Sequence, residues 1–192
     1  MQDPSTPLPP VVVLLSGGVD STVLLAQAVR GGRDVRAIFF DYNQVAYCQE
    51  LEACRALTRF FGASLEEVRL SFMFRLPWQG DVVPFRNGVM LSAAVAFAIG
   101  IGAKEVLLGA TANDHLDFAD CRPSFTTAFG KATEAATGIA IRAPLTKLAK
   151  EQVIELGDEL RVPWSMTWSC YRDGESPCGE CRSCKERDVV MP

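Results

Sequence analysis

The sequence is short of basic residues and has a single histidine. Lysine and arginine number 19 against 23 aspartate and glutamate residues, which gives a net charge of −4. Surfaces that bind nucleic acid are rich in basic side chains, so this balance argues against a broad nucleic-acid interface. It leaves room for one small anionic ligand in a local pocket, and we expect a small-molecule partner.

Targeting and membrane signals are also missing. The opening residues 1–5 lack the basic flank of a secretory signal peptide, and the apolar run behind them is too short for one. The longest apolar region, 89–101, contains Ser92 and Gly100 and is shorter than a membrane span. We therefore expect a buried helix over this region and a cytoplasmic protein.

Two common phosphate-binding motifs are absent, and a third kind of glycine loop stands in their place. The chain has neither G-x-x-x-x-G-K-[ST] nor G-x-G-x-x-G. Instead, the string S-G-G-V-D-S at 16–21 follows the apolar run 11–15 and precedes a helical pattern. Glycines allow close backbone approach, and the unpaired N–H groups at a helix start attract anions, so we expect a phosphate or pyrophosphate here. The alternative is a plain strand-to-helix turn capped by Asp20 or Ser16.

Apolar strands alternate with helices along most of the chain. Strands are predicted at 11–15, 35–40, 65–70, 104–109 and 139–142, and helices at 22–29, 45–61, 88–101, 124–137 and 146–160. This alternation predicts an α/β fold, an open parallel sheet of about five strands with helices on both faces. Ligands of such sheets bind at the carboxyl ends of the strands. We expect one α/β domain over 1–165 and a small C-terminal module over 166–192.

The C-terminal module contains four cysteines. Their pattern is Cys170-x7-Cys178-x2-Cys181-x2-Cys184. Four thiolates suit tetrahedral Zn²⁺ and leave no open coordination position, so we expect a structural site that stabilises a tail too short for its own core. The alternatives are free or disulfide-bonded cysteines and an iron–sulfur cluster. Of the remaining cysteines, Cys48 and Cys54 are predicted to be at least half-buried on a helix.

Four separated stretches resemble known enzymes. The glycine string resembles the pyrophosphate-binding loop of the ATP pyrophosphatases, which cleave ATP to AMP and pyrophosphate while adenylating a substrate. The wider pattern resembles the 7-cyano-7-deazaguanine synthase family. The matching stretches are 16–22 with 40–42, then 84–87, then 114–125 with its D-C-R-P, and last 143–150 together with the cysteine module and Arg187.

The resemblance implies a fold and a reaction. The fold is that of the adenine nucleotide alpha hydrolases. The activity is an ATP-dependent carbon–nitrogen ligase that adenylates the carboxylate of 7-carboxy-7-deazaguanine and converts it with ammonia to the nitrile. ATP, Mg²⁺ and Zn²⁺ are the implied cofactors, an amine donor is the second partner, and a homodimer is expected.

The resemblance also implies the site residues. The catalytic residues are Ser16, Asp20, Ser21 and Lys150. The nucleotide-binding residues are Ser16, Gly17, Gly18, Val19, Asp20, Ser21, Thr22, Phe40, Asp41, Arg86 and Asn87. The substrate-binding residues are Asp114, Asp120, Arg122 and Gln44. A carboxylate can accept the paired N–H groups of a deazaguanine edge, and an arginine can hold a carboxylate.

Some of these residues have a structural alternative. Asp120 and Arg122 can form a salt bridge that binds no ligand, and Arg86 and Asn87 can simply begin a helix. The single histidine, His115, stands where the family has an aromatic residue, so we expect it to stack on or line the substrate pocket and not to act as a general base.

The sequence departs from the family on the substrate side. The family's D-Y-G-Q-R-H is D-Y-N-Q-V-A at 41–46, its Y-S-G-Y-P is H-L-D-F-A at 115–119, and Ser124 replaces a glutamate. These changes leave two further hypotheses open. One is a relative that joins the activated carboxylate to the amine of a protein or another small molecule as an amide. The other is a non-catalytic nucleotide-binding subunit.

Overall fold

The architecture is a five-stranded parallel sheet covered by helices. The computed structural model describes residues 8–73 and 83–190. The strands lie in the order β3-β2-β1-β4-β5, and every neighbouring pair is parallel. Their bounds are β1 Val11–Leu14, β2 Val35–Asp41, β3 Ser64–Arg69, β4 Glu105–Leu107 and β5 Ala140–Arg142. The α/β class and the strand number predicted from the sequence are confirmed.

Helices cover both faces of the sheet. Their bounds are α1 Val19–Arg30, α2 Tyr47–Phe61, α3 Arg86–Gly100, α4 Pro123–Thr137, α5 Lys150–Glu159 and α6 Arg182–Val190. Successive side chains of a strand point to opposite faces, so Val11 and Val13 of β1 pack with α1, α2 and α5, while Val12 and Leu14 pack with α3 and α4. All four of these side chains are buried, which places β1 at the centre of the core.

Several elements begin at other residues than the sequence predicts. Helix α5 begins at Lys150 instead of Thr146, because its first turn is closed by the Gln152 side chain, which accepts the Ala149 N–H at 2.9 Å. Helix α3 begins two residues early, after Phe85 in the left-handed conformation. Most of the irregular connection predicted at 71–87 lies outside the described residues. Within the described ranges, none of the helices combines the length and apolarity needed to span a bilayer.

The sheet topology fixes where a ligand can bind. After β1 the chain winds outward to β2 and β3, then crosses back to place β4 on the other side of β1. The loops leaving β1 and β4 therefore diverge, and this divergence opens a crevice at the carboxyl ends of the strands. The C-terminal segment returns to the same edge, where the Trp168 N–H donates to the Gly17 carbonyl at 2.9 Å.

Candidate functional site

The glycine loop after β1 requires its first glycine. Gly17 has φ +79°, and a Cβ placed there would lie 2.9 Å from both the Ala53 Cβ and the Glu50 carbonyl oxygen. A side chain would therefore meet a strained backbone and the wall of α2 at once. Gly18 is extended, and it precedes α1 without any side-chain hydrogen bond to the first turn of the helix. The Gly18 N–H itself donates to Ser16 Oγ at 3.4 Å. No side chain caps the first turn of α1, so the N–H groups of that helical turn are open to an anion.

Hydroxyl groups brace the loop from within. The Ser16 N–H donates to Ser21 Oγ at 3.2 Å, the two serine Oγ atoms are 3.1 Å apart, and Ser21 Oγ donates to the Gly18 carbonyl at 3.2 Å. Thr22 is fully buried, and its hydroxyl donates to the same carbonyl at 2.7 Å. Ser16 and Ser21 line the cavity, whereas Thr22 only supports the turn.

The loop aspartate forms an ion pair with a lysine from a distant part of the chain. Lys150 Nζ lies 2.6 and 2.8 Å from the two carboxylate oxygens of Asp20, and both side chains are largely withdrawn from solvent. Burial raises the pKa of Asp20, and the neighbouring lysine opposes that shift. The Lys150 backbone N–H also donates to Asn113 Oδ1 at 3.1 Å, which fixes the start of α5. Two of the four predicted catalytic residues thus lie in direct contact.

A cavity of about 340 Å³ opens at the carboxyl ends of β1, β2 and β4. Most of the predicted residues line it, namely Ser16, Gly18, Val19, Asp20, Ser21, Phe40, Gln44, Arg86, Asn87, Asp114 and Lys150. Five do not, namely Gly17, Thr22, Asp41, Asp120 and Arg122. The structure therefore gathers the phosphate side of the predicted site more completely than its substrate side.

The predicted residues outside the cavity hold its walls. Asp41 is buried and accepts hydrogen bonds from Arg69 Nε at 2.9 Å and from the Asn43 N–H at 3.1 Å, so it shapes the turn after β2. Asp120 accepts the Asn87 N–H at 2.8 Å and so caps the first turn of α3. Direct ligand contacts expected for Asp41 and Asp120 find no support in these positions.

The loop after β4 also differs from expectation. Arg122 Nε donates to the His115 carbonyl at 2.8 Å, and no ion pair joins Arg122 to Asp120 in the described part of the chain. His115 Nε2 lies 3.0 Å from Thr146 Oγ1, and His115 is not among the residues that line the cavity, so stacking on a bound substrate stays a prediction. Asp114 does line the cavity, with one oxygen accepting both the N–H and the hydroxyl of Thr111 at 2.8 Å.

Two cavity residues that the sequence did not single out are Tyr42 and Glu50. Arg86 donates to the Tyr42 hydroxyl at 2.8 Å, and its guanidinium lies 5.3 Å from the centre of that ring. Gln44 donates to the Phe40 carbonyl at 2.9 Å and to a carboxylate oxygen of Glu50 at 3.1 Å. Burial raises the pKa of Glu50 to about 7. The one feature of the sequence that could have indicated Glu50 as a cavity residue is its place in the first turn of the helix that follows β2.

The C-terminal segment forms a further wall of the cavity. Tyr171, Ser183, Glu186 and Arg187 all line it. Arg182 forms ion pairs with Asp117 and with Glu186, the latter at 2.7 Å, and its guanidinium lies 5.6 Å from the ring centre of Phe118. The segment is therefore tied to the loop after β4 as well as to the glycine loop.

The four C-terminal cysteines converge on one point. Their sulfur atoms all lie within 4.8 Å of one another. Tetrahedral Zn²⁺ with Zn–S bonds of about 2.3 Å needs sulfurs about 3.8 Å apart, so this arrangement fits a four-thiolate metal site. The Arg172 and Cys178 N–H groups donate to the Cys170 sulfur at 3.4 Å. Elsewhere, Cys54 is buried as expected, whereas Cys48 is exposed.

Comparison with known families gives an extensive match. The family model described as queuosine biosynthesis protein QueC matches residues 10–79 and 77–190. A 7-cyano-7-deazaguanine synthase of Desulfotalea psychrophila is 36% identical over 202 residues, covering 94% of this chain and 92% of that relative. The enzyme of the same name from Thermoplasma acidophilum is 37% identical over 199 residues, covering 90% and 83%.

Solved structures share the fold at lower identity. The U34-tRNA thiolase NcsA of Methanococcus maripaludis, described with its 4Fe-4S cluster, gives a TM-score of 0.62 at 16% identity, covering 99% of this chain and 66% of that chain. The NMN synthetase of Francisella tularensis gives 0.61 at 21% identity, covering 91% and 72%. At these identities the likeness concerns the fold alone.

Proposed function

Because the chain belongs to the QueC family, we propose that it converts 7-carboxy-7-deazaguanine and ammonia to 7-cyano-7-deazaguanine at the expense of ATP. The observation that carries this proposal is the glycine loop with its uncapped helix start, set beside the Asp20–Lys150 pair in one cavity. A pyrophosphate cradle next to a buried cation is what adenylation of a carboxylate requires. We therefore assign the chain to the carbon–nitrogen ligases that act through an acyl-adenylate.

In the first step, the substrate carboxylate attacks the α-phosphorus of ATP and pyrophosphate leaves. The N–H groups at the start of α1 and the hydroxyls of Ser16 and Ser21 are suited to hold the departing pyrophosphate. Lys150 would stabilise the charge that develops at the α-phosphate. Mg²⁺ accompanies nucleotide phosphates and prefers carboxylate oxygens, and Asp20, the carboxylate within the loop, would hold it.

In the second step, ammonia attacks the activated carbon and AMP leaves, which gives the primary amide. The amide oxygen then attacks a second ATP, and loss of AMP together with the remaining amide protons leaves the nitrile. Both adenylations need the same cradle, so a single cavity serves the whole sequence. Water must be kept from the adenylate, and the C-terminal wall of the cavity is suited to exclude it.

The remaining cavity groups are assigned to nucleotide and substrate binding. The Arg86 guanidinium, stacked on Tyr42, offers donors to phosphate or ribose oxygens. Asp114 keeps one carboxylate oxygen free of Thr111 and would accept an N–H of the deazaguanine edge. Asp120 and Arg122 would act indirectly, by fixing Asn87 and the backbone at His115.

The four cysteines would hold Zn²⁺ as a closed structural site. With all four ligands from the protein, the metal supplies no reaction step and stabilises the segment that bears α6. We accordingly propose a metal-binding module over 166–192 attached to a nucleotide-binding domain over 1–165. Its ties to Gly17 and to Asp117 would make the module part of the active site.

The proposal is tested by incubating the protein with ATP, 7-carboxy-7-deazaguanine and ammonium and following the products by mass spectrometry. We expect 7-cyano-7-deazaguanine together with AMP and pyrophosphate. Accumulation of an amide without nitrile would instead support the amide-forming hypothesis that the altered residues 43–46 and 115–119 suggest. Nucleotide binding without any AMP release would support the hypothesis of a non-catalytic nucleotide-binding subunit.

A further inference from the structure

Four carboxylates line the cavity: Asp20 and Glu186 form ion pairs, Asp114 has one oxygen bound and the other assigned to the substrate edge, and Glu50 has neither an ion pair nor an assigned role. Asp20 is held by Lys150 through both oxygens, Glu186 accepts from Arg182 Nε at 2.7 Å, and Asp114 accepts two hydrogen bonds from Thr111. The fourth, Glu50, accepts one hydrogen bond, from the Gln44 amide to Oε2. Its Oε1 has no partner among the described residues, and no cation there lies within ion-pairing distance of it.

Glu50 is placed beside the glycine loop and held in a defined orientation. Its carbonyl oxygen packs against Gly17, where even a methyl group would not fit. Gln44, which orients the carboxylate, is itself fixed, because its amide oxygen accepts the Tyr42 N–H at 2.9 Å and its amide nitrogen donates to the Phe40 carbonyl. The side chain therefore faces the cavity with one oxygen fixed and the other available.

The charged and titratable groups around Glu50 do not neutralise it. Arg86, facing it from α3, lowers the pKa of Glu50 electrostatically, but burial outweighs that effect and raises the value to about 7. Across the cavity the negative charge of Glu50 helps to raise the pKa of Tyr42, and on its own helix it helps to raise that of the Cys54 thiol. A half-buried carboxylate with no ion-pair partner among the described residues is costly to keep ionised, and such groups concentrate at functional sites.

The proposed reaction needs a base that no residue assigned so far supplies. When ammonia adds to the activated carbon, its nitrogen becomes positively charged and must lose a proton before the adduct collapses. Lys150 is paired with both carboxylate oxygens of Asp20, and the single histidine is not among the residues that line the cavity. On the premise of the proposed function, we propose that Glu50 is the general base that takes this proton.

The nitrogen lone pair of ammonia forms the C–N bond, and one N–H proton passes to Oε1 of Glu50. The tetrahedral adduct then expels AMP, whose phosphate takes the electron pair of the broken C–O bond. Glu50 returns its proton to solvent before the next turnover. Glu50 lines the cavity, and the carboxylate oxygen that Gln44 does not bind is the proposed proton acceptor.

The test separates the two half-reactions in Glu50→Gln, with Glu52→Gln as the matched control on the exposed side of the same helix. Adenylation is measured as ATP–pyrophosphate exchange that depends on 7-carboxy-7-deazaguanine. Amide formation is measured with ammonium chloride, and again with hydroxylamine, whose adduct loses its proton to water unaided. If the wild type shows no exchange, the proposed function itself fails, and that result is distinct from failure of the role of Glu50.

With Glu50→Gln we expect exchange within about threefold of the wild type, while amide formation from ammonium falls at least about 100-fold. Hydroxamate formation from hydroxylamine stays near the wild-type rate. At a fixed concentration of free ammonia, kcat/KM of the wild type rises with pH through about 7, and that of the variant is flat. Undiminished turnover with ammonium, or an equal loss of exchange and of hydroxamate formation, would overturn the proposal.

Discussion

Lys150 and Asp20, 130 positions apart in the chain, form a two-point contact at the carboxyl end of the sheet, with Nζ 2.6 and 2.8 Å from the two carboxylate oxygens. The contact links the start of α5 to the start of α1 across the crevice. It also keeps a cation beside the uncapped first turn of α1, so that backbone N–H groups and a lysine face the same space. Negative charge that develops on a bound phosphate would be stabilised by both the N–H groups and the lysine.

Replacing Lys150 by Met is expected to slow substrate-dependent ATP–pyrophosphate exchange by about 10²–10³-fold, because a preorganised positive charge is lost where negative charge develops. The unpaired Asp20 carboxyl loses its neighbouring cation, so its pKa should rise further. Lys147→Met, at an exposed lysine three residues away, is the control and should leave exchange unchanged. Equal effects of the two substitutions would remove Lys150 from the reaction.

Gly17→Ala is expected to destabilise the fold and abolish nucleotide binding, because the new methyl group would clash with Ala53 and the Glu50 carbonyl. Gly32→Ala is the matched control, since Gly32 also has a positive φ, +72°, but has open space around it. The control should lose only the backbone cost of about 1–2 kcal/mol, with ATP affinity intact. Thermal unfolding and equilibrium binding of ATP measure the two effects separately, and normal ATP binding by Gly17→Ala would contradict the loop assignment.

Much of this site could be predicted from the sequence, because the features involved are set by residues close together in the chain. The glycine string, the helix after it and the cysteine spacing each depend on neighbours in the chain. The roles of Asp120 and Arg122 were harder to predict, because their hydrogen-bond partners, the Asn87 N–H and the His115 carbonyl, depend on how the loops pack. Glu50 was missed because it looks like an ordinary helix residue until α2 packs against Gly17 and places it at the cavity.

The raised pKa of Glu50 predicts a pH-dependent stability. In the unfolded chain this carboxyl titrates near 4.5, and in the folded protein near 7. Between these values the folded state binds more protons, so the free energy of unfolding should fall as pH rises from about 4.5 to 7. The Glu50→Gln protein does not lose this unfolding free energy as pH rises. It should therefore melt at a higher temperature than the wild type at pH 8, with little difference at pH 4.5. Parallel melting curves at both pH values would argue against a buried, unpaired carboxyl.

Metal removal should disturb the cavity as well as the module. Cys178→Ser breaks the four-sulfur set, whereas Cys48→Ser changes an exposed cysteine outside it. We expect the purified wild type and Cys48→Ser to contain one zinc per chain and Cys178→Ser to contain much less. Loss of the metal should also weaken ATP binding, because Trp168 and α6 contact the loop and the cavity. Full ATP affinity in a metal-free Cys178→Ser protein would show that the module is independent of the site.

In the proposed function, one cavity adenylates the substrate twice. This double adenylation is tested most directly with 7-carboxy-7-deazaguanine labelled with ¹⁸O in both carboxylate oxygens, in the presence of ATP and ammonium. If each oxygen attacks an α-phosphorus, the nitrile forms without label, and mass spectrometry finds two AMP per nitrile, each with one ¹⁸O. Label in pyrophosphate or inorganic phosphate, or AMP without label, would contradict attack at the α-phosphorus and with it the function proposed for this loop.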